Sequence, residues 1–306
     1  MLLSLRFMKH LIRSQDISKE EIEELFKEAT RLEKKTSTPL KGKVMAAIFY
    51  EPSTRTRLSF ETAMLRLGGS VISTENAREF SSVVKGETLE DSTRVVNQYA
   101  DVIVMRHYEE GAAERAAKVS RVPIINAGDG PGQHPTQALL DLYTIKREIG
   151  RTDNLTIAMM GDLKNGRTVR SLSYLLGKYK GVRIIFVSPK ELKIGTDIKD
   201  YLKRHKVSYE EKVDMDAAIK KADVVYQTRI QKERFTTKRA YDKVNGCYII
   251  TNKQVKMMKP KAIIMHPLPR VGEILPEVDL SPKAAYFRQV KYGLLIRMAI
   301  LKAVLA

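Results

Sequence analysis

The chain has 306 residues, and this length favours two compact domains over one. Hydrophobic residues make up 43% of it, enough for buried cores, but no apolar run approaches the roughly 18 residues that a membrane-spanning helix needs. Cys247 is the only cysteine, which excludes an intrachain disulfide and a cysteine-based metal site.

The formal net charge of +18 is the unusual feature of the composition. It fits a nucleic-acid partner, an acidic protein or small anionic substrates. Lysines and arginines are spread along the chain and aromatic residues are sparse, so a solvated basic surface is favoured over a nucleic-acid interface by about two to one. The five histidines show no metal-ligand spacing. We therefore expect no metal and no cofactor, and the low cysteine content fits a reducing, cytoplasmic setting.

The first residues lack the apolar length and the small-residue cleavage site of a secretory signal, and either Met1 or Met8 fits as the natural start. A capping box of Ser18 and Glu21 predicts the first helix, because Ile22 and later apolar residues recur at helical spacing. Short β-branched runs then alternate with amphipathic ones. They predict strands at 44–50, 71–73, 102–105 and 123–126, a helix through 60–63, and a longer helix over 135–149.

The polar turn at 150–154 is the best candidate for a domain boundary, because a glycine ends the preceding helix. Beyond it, strands are predicted at 155–160, 182–187, 224–226 and 262–265, with helices near 167–179, 194–205, 214–222 and 286–305. Strands that alternate with helices predict an α/β fold of two doubly wound, parallel-sheet domains. Functional loops are expected at the carboxyl ends of the strands and in the cleft between the domains.

A run of hydroxyl and guanidinium side chains follows the first predicted strand and opens a helix. It comprises Ser53, Thr54, Arg55, Thr56 and Arg57. Free backbone N–H groups and the helix dipole favour an anion at such a place, and arginine pairs with phosphate through two hydrogen bonds. Serine and threonine caps are common, however, so the spacing alone slightly favours a capped helix with solvated arginines.

Three distant segments offer complementary groups. His134 and Gln137 lie at a helix start, where an imidazole can donate to a carbonyl oxygen and a carboxamide can hold an amide nitrogen. Arg229 and Gln231 follow a strand. Two prolines in the turn at 266–270 remove backbone donors and leave carbonyl groups for a ligand. Each segment alone fits a helix cap, a polar loop or a rigid surface turn about equally well.

Taken in order, these motifs resemble the catalytic chains of the aspartate carbamoyltransferase family. The resemblance runs from about Lys9 to the C-terminus and includes the segments 85–88, 105–107, 161–163, 166–168 and 228–234. It implies the carbamoyltransferase fold, with residues 1–150 binding carbamoyl phosphate, 151–285 binding aspartate, and 286–306 forming a helix that packs back on the first domain. The implied reaction carbamoylates the α-amine of L-aspartate and releases phosphate, an early step of pyrimidine biosynthesis.

The resemblance also implies residue roles. The phosphate is held by Ser53, Thr54, Arg55, Thr56 and Arg106. The carbamoyl oxygen receives donors from Thr56, Arg106 and His134, while the carbamoyl nitrogen is held by Gln137 and the backbone of Pro267 and Leu268. Aspartate is bound by Lys85, Arg167, Arg229 and Gln231. Ser81 and Lys85 come from a neighbouring subunit, so the active sites are shared in a homotrimer. A separate zinc-containing regulatory chain, which many relatives of this length bind, is a further candidate partner.

The resemblance also implies residues that act in domain closure, and a few positions differ from the common residues of the family. Glu51 occupies the position that pairs with Arg167 and Arg234 in the closed state of the family. Gly272 stands where relatives often have an aspartate, so Tyr241 is expected to lack its open-state partner. Arg170 and Val84 also differ from common residues of the family, outside the main roles.

Three alternatives were compared with this interpretation. An ornithine-type carbamoyltransferase shares the phosphate motif, but that group usually has a cysteine where Pro267 stands, and Arg167 with Arg229 suits an acceptor with two carboxylates. A basic nucleic-acid-binding protein rests on the net charge alone. A catalytically silent scaffold has no support, because each matched position keeps a competent side chain. We therefore expect an enzyme with no nucleic-acid or membrane partner.

Overall fold

The computed structural model describes residues 8–34, 37–80 and 82–305. Its helices are α1 (Lys19–Lys34), α2 (Thr54–Arg66), α3 (Ala77–Phe80), α4 (Leu89–Val96), α5 (Ala112–Val119), α6 (Pro135–Ile149), α7 (Arg167–Leu176), α8 (Thr196–Arg204), α9 (Met215–Lys221), α10 (Lys238–Asp242), α11 (Asn252–Met257) and α12 (Tyr286–Leu305). Its strands are β1 (Val44–Phe49), β2 (Ser70–Glu75), β3 (Val102–His107), β4 (Ile124–Asp129), β5 (Thr156–Met160), β6 (Arg183–Val187), β7 (Ser208–Lys212), β8 (Val224–Gln227) and β9 (Ile263–Met265).

The described chain forms two compact units. The first contains the described residues up to Leu140 and from Lys291 onward, and the second contains Asp141–Val290. These divisions lie inside α6 and α12, whereas the domain limits at 150 and 285 stay predictions.

The first unit is built on a parallel sheet of four strands in the order β2-β1-β3-β4. β3 and β4 are almost entirely buried, and β1 is buried at four of its six residues. Apolar runs of this kind are typical of parallel strands covered on both faces. The predicted capping box at the start of α1 is confirmed, since the Ser18 N–H donates to Glu21 (2.7 Å) and the Glu21 N–H donates to the Ser18 hydroxyl (3.1 Å).

The second unit is built on a parallel sheet of five strands in the order β7-β6-β5-β8-β9. The predicted α/β class with two parallel sheets is confirmed. β7 is absent from the prediction, because its sequence Ser208–Lys212 is polar and partly exposed at the edge of the sheet. An edge strand is specified by pairing with its neighbour, here β6, and charged residues are common there. No helix in the described ranges is long and apolar enough to span a membrane.

Gly161 lets the chain after β5 lie against the chain after β8. Its φ is +107°, and a Cβ atom there would meet the Thr228 carbonyl oxygen at 2.3 Å. Gly150 has a similar φ of +85°, but a Cβ atom there would meet nothing within 4 Å. A substitution at Gly150 therefore measures backbone strain alone, whereas a substitution at Gly161 adds a steric clash.

We expect Gly150→Ala to lower the free energy of unfolding by about 1 kcal/mol, the cost of a left-handed conformation for a residue with a side chain. Gly161→Ala should cost about 2 kcal/mol more, because the backbone must also move away from Thr228. Urea unfolding of both purified variants measures the difference. Equal losses in the two variants would show that the contact with Thr228 places no constraint on the fold.

Candidate active site

Three neighbouring strands of the first sheet end at the same edge, and predicted site residues follow each of them. β1 leads to Ser53 and the start of α2, β3 carries Arg106 near its end, and β4 leads through a loop to His134 before α6. The chain leaves β1 toward β2 on one side and then returns to β3 on the other. Ligands of doubly wound sheets bind at such a switch point, beyond the carboxyl ends of the strands.

The N-terminus of α2 is open to an anion. Ser53 is the N-cap residue, yet in the described chain its hydroxyl makes no capping hydrogen bond to the helix. Arg57 is held by carboxylates of its own unit, at 2.9 Å from Glu75 and 3.5 Å from Glu61, whereas Arg55 is exposed. The interpretation as a helix capped by Ser53 is therefore unsupported, and the N-terminus of α2 remains a suitable site for phosphate.

Arg106 lies beside this helix start. Its Nη2 atom is 3.5 Å from the Glu51 carboxylate, and the side chain is 15% exposed. Its carbonyl oxygen accepts the N–H of Tyr50 (2.8 Å), which holds the segment after β1 against β3. Glu51, predicted to act in domain closure, thus faces an arginine of the same unit.

His134 is buried at the entrance to α6, and its carbonyl oxygen accepts the N–H of Gln137 (3.0 Å). The structure therefore brings these two predicted residues together at the carboxyl edge of the sheet. Parallel strands place both at the edge of the sheet that also carries the start of α2.

Asp129 shapes the loop that leads to His134, a role absent from the prediction. Its carboxylate accepts the N–H groups of Gly111 and Gln133, both at 2.8 Å, and the side-chain amide of Asn126 at 3.0 Å. Gly130 follows with a φ of +47°, and a Cβ atom there would lie 2.4 Å from the Tyr108 carbonyl oxygen. An aspartate between two glycines is the sequence signal that indicates this turn.

In the second unit, predicted site residues again follow neighbouring strands of the sheet, here β5, β8 and β9. Arg167 begins α7 after β5, Arg229 follows β8, and Pro267 with Leu268 follows β9. The predicted residues of this unit therefore share one edge of the sheet. Two of them, Arg167 and Arg229, offer guanidinium groups suited to carboxylates.

Arg229 is paired in this structure with Glu233, four residues later. Its Nη1 atom lies 2.9 Å from the Glu233 carboxylate, and its Nη2 atom bonds the other oxygen. The hydrogen bond from Arg229 lowers the pKa of Glu233. An acidic residue four positions after Arg229, in the short 3₁₀ helix Lys232–Arg234, is the signal that could have identified Glu233.

Gln231 joins the loops after β8 and β5. Its side-chain amide donates to the Asn165 carbonyl oxygen (3.2 Å), and the Asn165 N–H donates to the buried Asp162 (3.0 Å). Gln231 is therefore held close to the loop that precedes Arg167. Asp162 lay in a motif of the resemblance, but no role was predicted for it.

Other predicted residues have mixed outcomes. Lys85 is exposed at the end of a short 3₁₀ helix, and Ser81 lies outside the described residues. Arg234 is exposed in the second unit. The Tyr241 hydroxyl donates to Asn245 of its own segment (2.9 Å), and the predicted loss of an open-state partner at Gly272 stays a prediction.

Comparison with known proteins agrees with this geometry. Two family models match the chain, "Aspartate/ornithine carbamoyltransferase, carbamoyl-P binding domain" over residues 9–147 and "Aspartate/ornithine carbamoyltransferase, Asp/Orn binding domain" over residues 153–304. Aspartate carbamoyltransferase 2 of Pisum sativum, named as chloroplastic, is 56% identical over 96% of this chain and 78% of its own length. The chain belongs to the aspartate carbamoyltransferase family.

Solved structures of the family share the fold. The catalytic subunit of Methanocaldococcus jannaschii aspartate transcarbamoylase has a TM-score of 0.90 at 55% identity, covering 97% of this chain and 98% of that one. Aspartate transcarbamoylase from Trypanosoma cruzi, in complex with carbamoyl phosphate and aspartate, has a TM-score of 0.94 at 40% identity and covers 100% of both chains. The architecture derived from strand order is therefore that of the family.

His107, next to Arg106, supplies a pH dependence to the first unit. The ring is buried, stacks on Tyr108 and accepts the N–H of Glu109 (3.0 Å). Burial lowers the pKa of His107 below its usual 6.5. The unfolded chain therefore binds this proton more readily, and stability is lost as the pH falls below the unfolded value.

We expect the wild-type protein to lose more stability between about pH 7.5 and about pH 5.5 than His107→Asn does, by about 1 kcal/mol. Asparagine keeps an acceptor near Nδ1 but does not titrate. Urea unfolding at both pH values measures this difference. His10, whose pKa burial also lowers, is present in both proteins and cancels. Identical pH slopes would contradict the assignment.

Proposed function

We propose that the chain is an aspartate carbamoyltransferase, which transfers the carbamoyl group of carbamoyl phosphate to the α-amine of L-aspartate. N-carbamoyl-L-aspartate and phosphate are the products, and the reaction is an early step of pyrimidine biosynthesis. The observation that carries the proposal is the uncapped start of α2 beside Arg106, at the switch point of the first sheet. The complexes of the Trypanosoma cruzi relative with carbamoyl phosphate and aspartate support it.

The chemistry follows from developing charge. The neutral amine of aspartate attacks the carbamoyl carbon, a C–N bond forms, and negative charge builds on the carbonyl oxygen. Thr56, Arg106 and His134 donate to that oxygen, and each such donor lowers the barrier by on the order of 3 kcal/mol. The bond from carbon to the phosphate oxygen then breaks, the phosphate takes the proton that the amine loses, and Arg55 with the N-terminus of α2 stabilises the leaving phosphate. Ordering the two anions supplies much of the remaining rate.

The second unit supports aspartate as the acceptor. Arg167 and Arg229 bind its two carboxylates, with Gln231 and Lys85 alongside. Ornithine carries a cationic side chain, which two arginines would repel. Pro267 stands where ornithine-type relatives usually have a cysteine, and its backbone, with that of Leu268 and the Gln137 amide, holds the carbamoyl nitrogen.

The assembly belongs to the proposal as well. We infer a homotrimer with shared active sites, in which Ser81 and Lys85 enter from a neighbouring subunit. Three further points stay predictions. They are a domain closure that pairs Glu51 with Arg167 and Arg234, a separate regulatory chain, and a cytoplasmic location.

The substrate assignment predicts turnover of carbamoyl phosphate with aspartate and none with ornithine. Arg55→Ala and His134→Ala should each lower kcat by at least about 100-fold, because each removes a donor to charge that develops in the reaction. Arg57→Ala is the matched control, since Arg57 is bound to carboxylates of its own unit and should retain most activity. Colorimetric assay of the carbamoylated product measures all four proteins. Turnover with ornithine would overturn the acceptor assignment.

Shared active sites predict complementation between subunits. Arg55→Ala and Lys85→Ala proteins, each nearly inactive, should recover partial activity when mixed under subunit exchange. In a mixed trimer some sites take Arg55 from one chain and Lys85 from another, and both are then intact. Each variant mixed with itself is the control. No recovery, after exchange is verified by native mass spectrometry, would refute the contribution of Lys85 across subunits.

A further inference from the structure

A buried chain of hydrogen bonds in the second unit ends at the turn after β9. The Tyr226 hydroxyl donates to one carboxylate oxygen of Asp141 (2.7 Å), and the side-chain amide of Gln289 donates to the other (2.6 Å). The side-chain carbonyl oxygen of Gln289 then accepts the backbone N–H of His266 (3.1 Å). All four residues are no more than 2% exposed. In such surroundings an unpaired polar group is costly, so the network defines one arrangement.

The direction of each bond in this network is determined. Both oxygens of Asp141 accept hydrogens, so the NH₂ group of Gln289 must face Asp141 and its carbonyl oxygen must face His266. Burial raises the pKa of Tyr226 well above its usual value, so the hydroxyl keeps its proton and stays a donor. Gln289 therefore presents a fixed acceptor to the backbone of the turn.

The imidazole of His266 holds the same turn from a second point. Its Nδ1 atom accepts the backbone N–H of Leu268 (2.8 Å), so the hydrogen of the ring lies on Nε2, which is 2.7 Å from the Glu273 carboxylate. Burial tends to raise the pKa of Glu273, but the hydrogen bonds from His266 and the Val271 N–H outweigh it and lower the pKa. The ionised carboxylate thus selects the tautomer whose Nδ1 can accept from Leu268.

The turn needs such support. Leu268 has a φ of +54°, a left-handed conformation that is unfavourable for leucine and persists only where the surroundings hold it. Pro267 has no N–H, and the backbone N–H groups on either side of it, those of His266 and Leu268, are both hydrogen-bonded. In the described chain, no donor reaches the carbonyl oxygen of Pro267 or Leu268. The network thus binds these two donors and leaves two acceptors open.

We propose that His266 and Gln289 are positioning residues, which hold the Pro267 and Leu268 carbonyl oxygens where they receive the NH₂ group of carbamoyl phosphate. This inference rests on the proposed function, since it assigns a purpose to the turn in that reaction. Neither side chain touches the substrate. Asp141, Tyr226 and Glu273 act through them.

Two carboxamide variants test the roles of the two ring nitrogens of His266 separately. His266→Asn places a carboxamide oxygen near Nδ1 and keeps the acceptor for Leu268, whereas His266→Gln reaches toward Glu273 and loses that acceptor. We expect His266→Gln to lower kcat/KM for carbamoyl phosphate by about 100-fold, the effect of misplacing a reacting group by about 1 Å. His266→Asn should lose less than about 10-fold. Equal losses in the two variants would overturn the role of Nδ1.

Acetyl phosphate tests whether the turn acts on the NH₂ group. It carries a methyl group in place of the amine, so its affinity as a competitive inhibitor should not depend on the two carbonyl oxygens. In His266→Gln we expect the KM for carbamoyl phosphate to rise by about 10-fold or more while the inhibition constant of acetyl phosphate changes less than about twofold. A parallel rise in both constants would indicate general damage to the fold and would overturn the proposal.

Gln289→Met has a matched control in the same unit. Gln254 also bridges a carboxylate and a backbone N–H, donating to Asp216 (3.1 Å) and accepting from Thr251 (3.2 Å). Gln254→Met therefore makes the same chemical change in another buried bridge, and both variants should lower the urea midpoint. Only Gln289→Met should raise the KM for carbamoyl phosphate relative to the inhibition constant of acetyl phosphate. Kinetics that match in the two variants would overturn the role of Gln289.

The wild-type protein separates this inference from the proposed function. Absence of wild-type turnover with carbamoyl phosphate and aspartate would refute the proposed function, and with it the inference. Normal wild-type turnover, with variants at His266 and Gln289 that are equally active, would refute the inference alone.

Discussion

The strands of both described sheets run parallel, and the rest of the structure depends on this constraint. Parallel neighbours must end at the same edge, so residues that are far apart in sequence become adjacent when they follow adjacent strands. In the first unit the edge collects the start of α2, Arg106 and His134. In the second it collects Arg167, Arg229 and the turn after β9. Each unit thereby gathers, at one edge of its sheet, cationic groups that follow two neighbouring strands.

Buried or partly buried acids then give the loops at these edges their shape. Asp129 in the first unit and Asp162 in the second lie at the ends of strands, and each accepts backbone N–H groups of the loop before a functional helix. Glycines allow the close approaches that these loops require, as at Gly130 and Gly161. The guanidinium and imidazole groups that we propose act on substrate therefore stand on loops with few alternative conformations. The polar network around Asp141 extends this pattern to the turn after β9.

Carboxylate partners hold two arginines of the predicted motifs. Arg57 is held by Glu61 and Glu75 of its own unit. Arg229 is held by Glu233, which would have to share it with a substrate carboxylate in the proposed reaction. Positive charge beyond these pairs raises the local concentration of anionic substrates and steers them toward the protein. The excess of basic residues is thus compatible with a small-molecule enzyme.

The α/β alternation, the long helices α6 and α12, the capping box of α1 and the order of the functional motifs were all predictable from sequence patterns. These features depend on periodicity and on contacts between residues a few positions apart, which a linear pattern contains. The polar strand β7 was not predictable, because pairing with β6 defines it. The roles of Asp129, Glu233 and Glu273 were also missed. The hydrogen-bond network at the turn after β9 could not be predicted from the sequence, because its members are distant in the chain and meet only in the folded structure. Asp141 and Gln289 are separated by 148 positions, and their hydrogen bond exists only because folding brings α6 and α12 together.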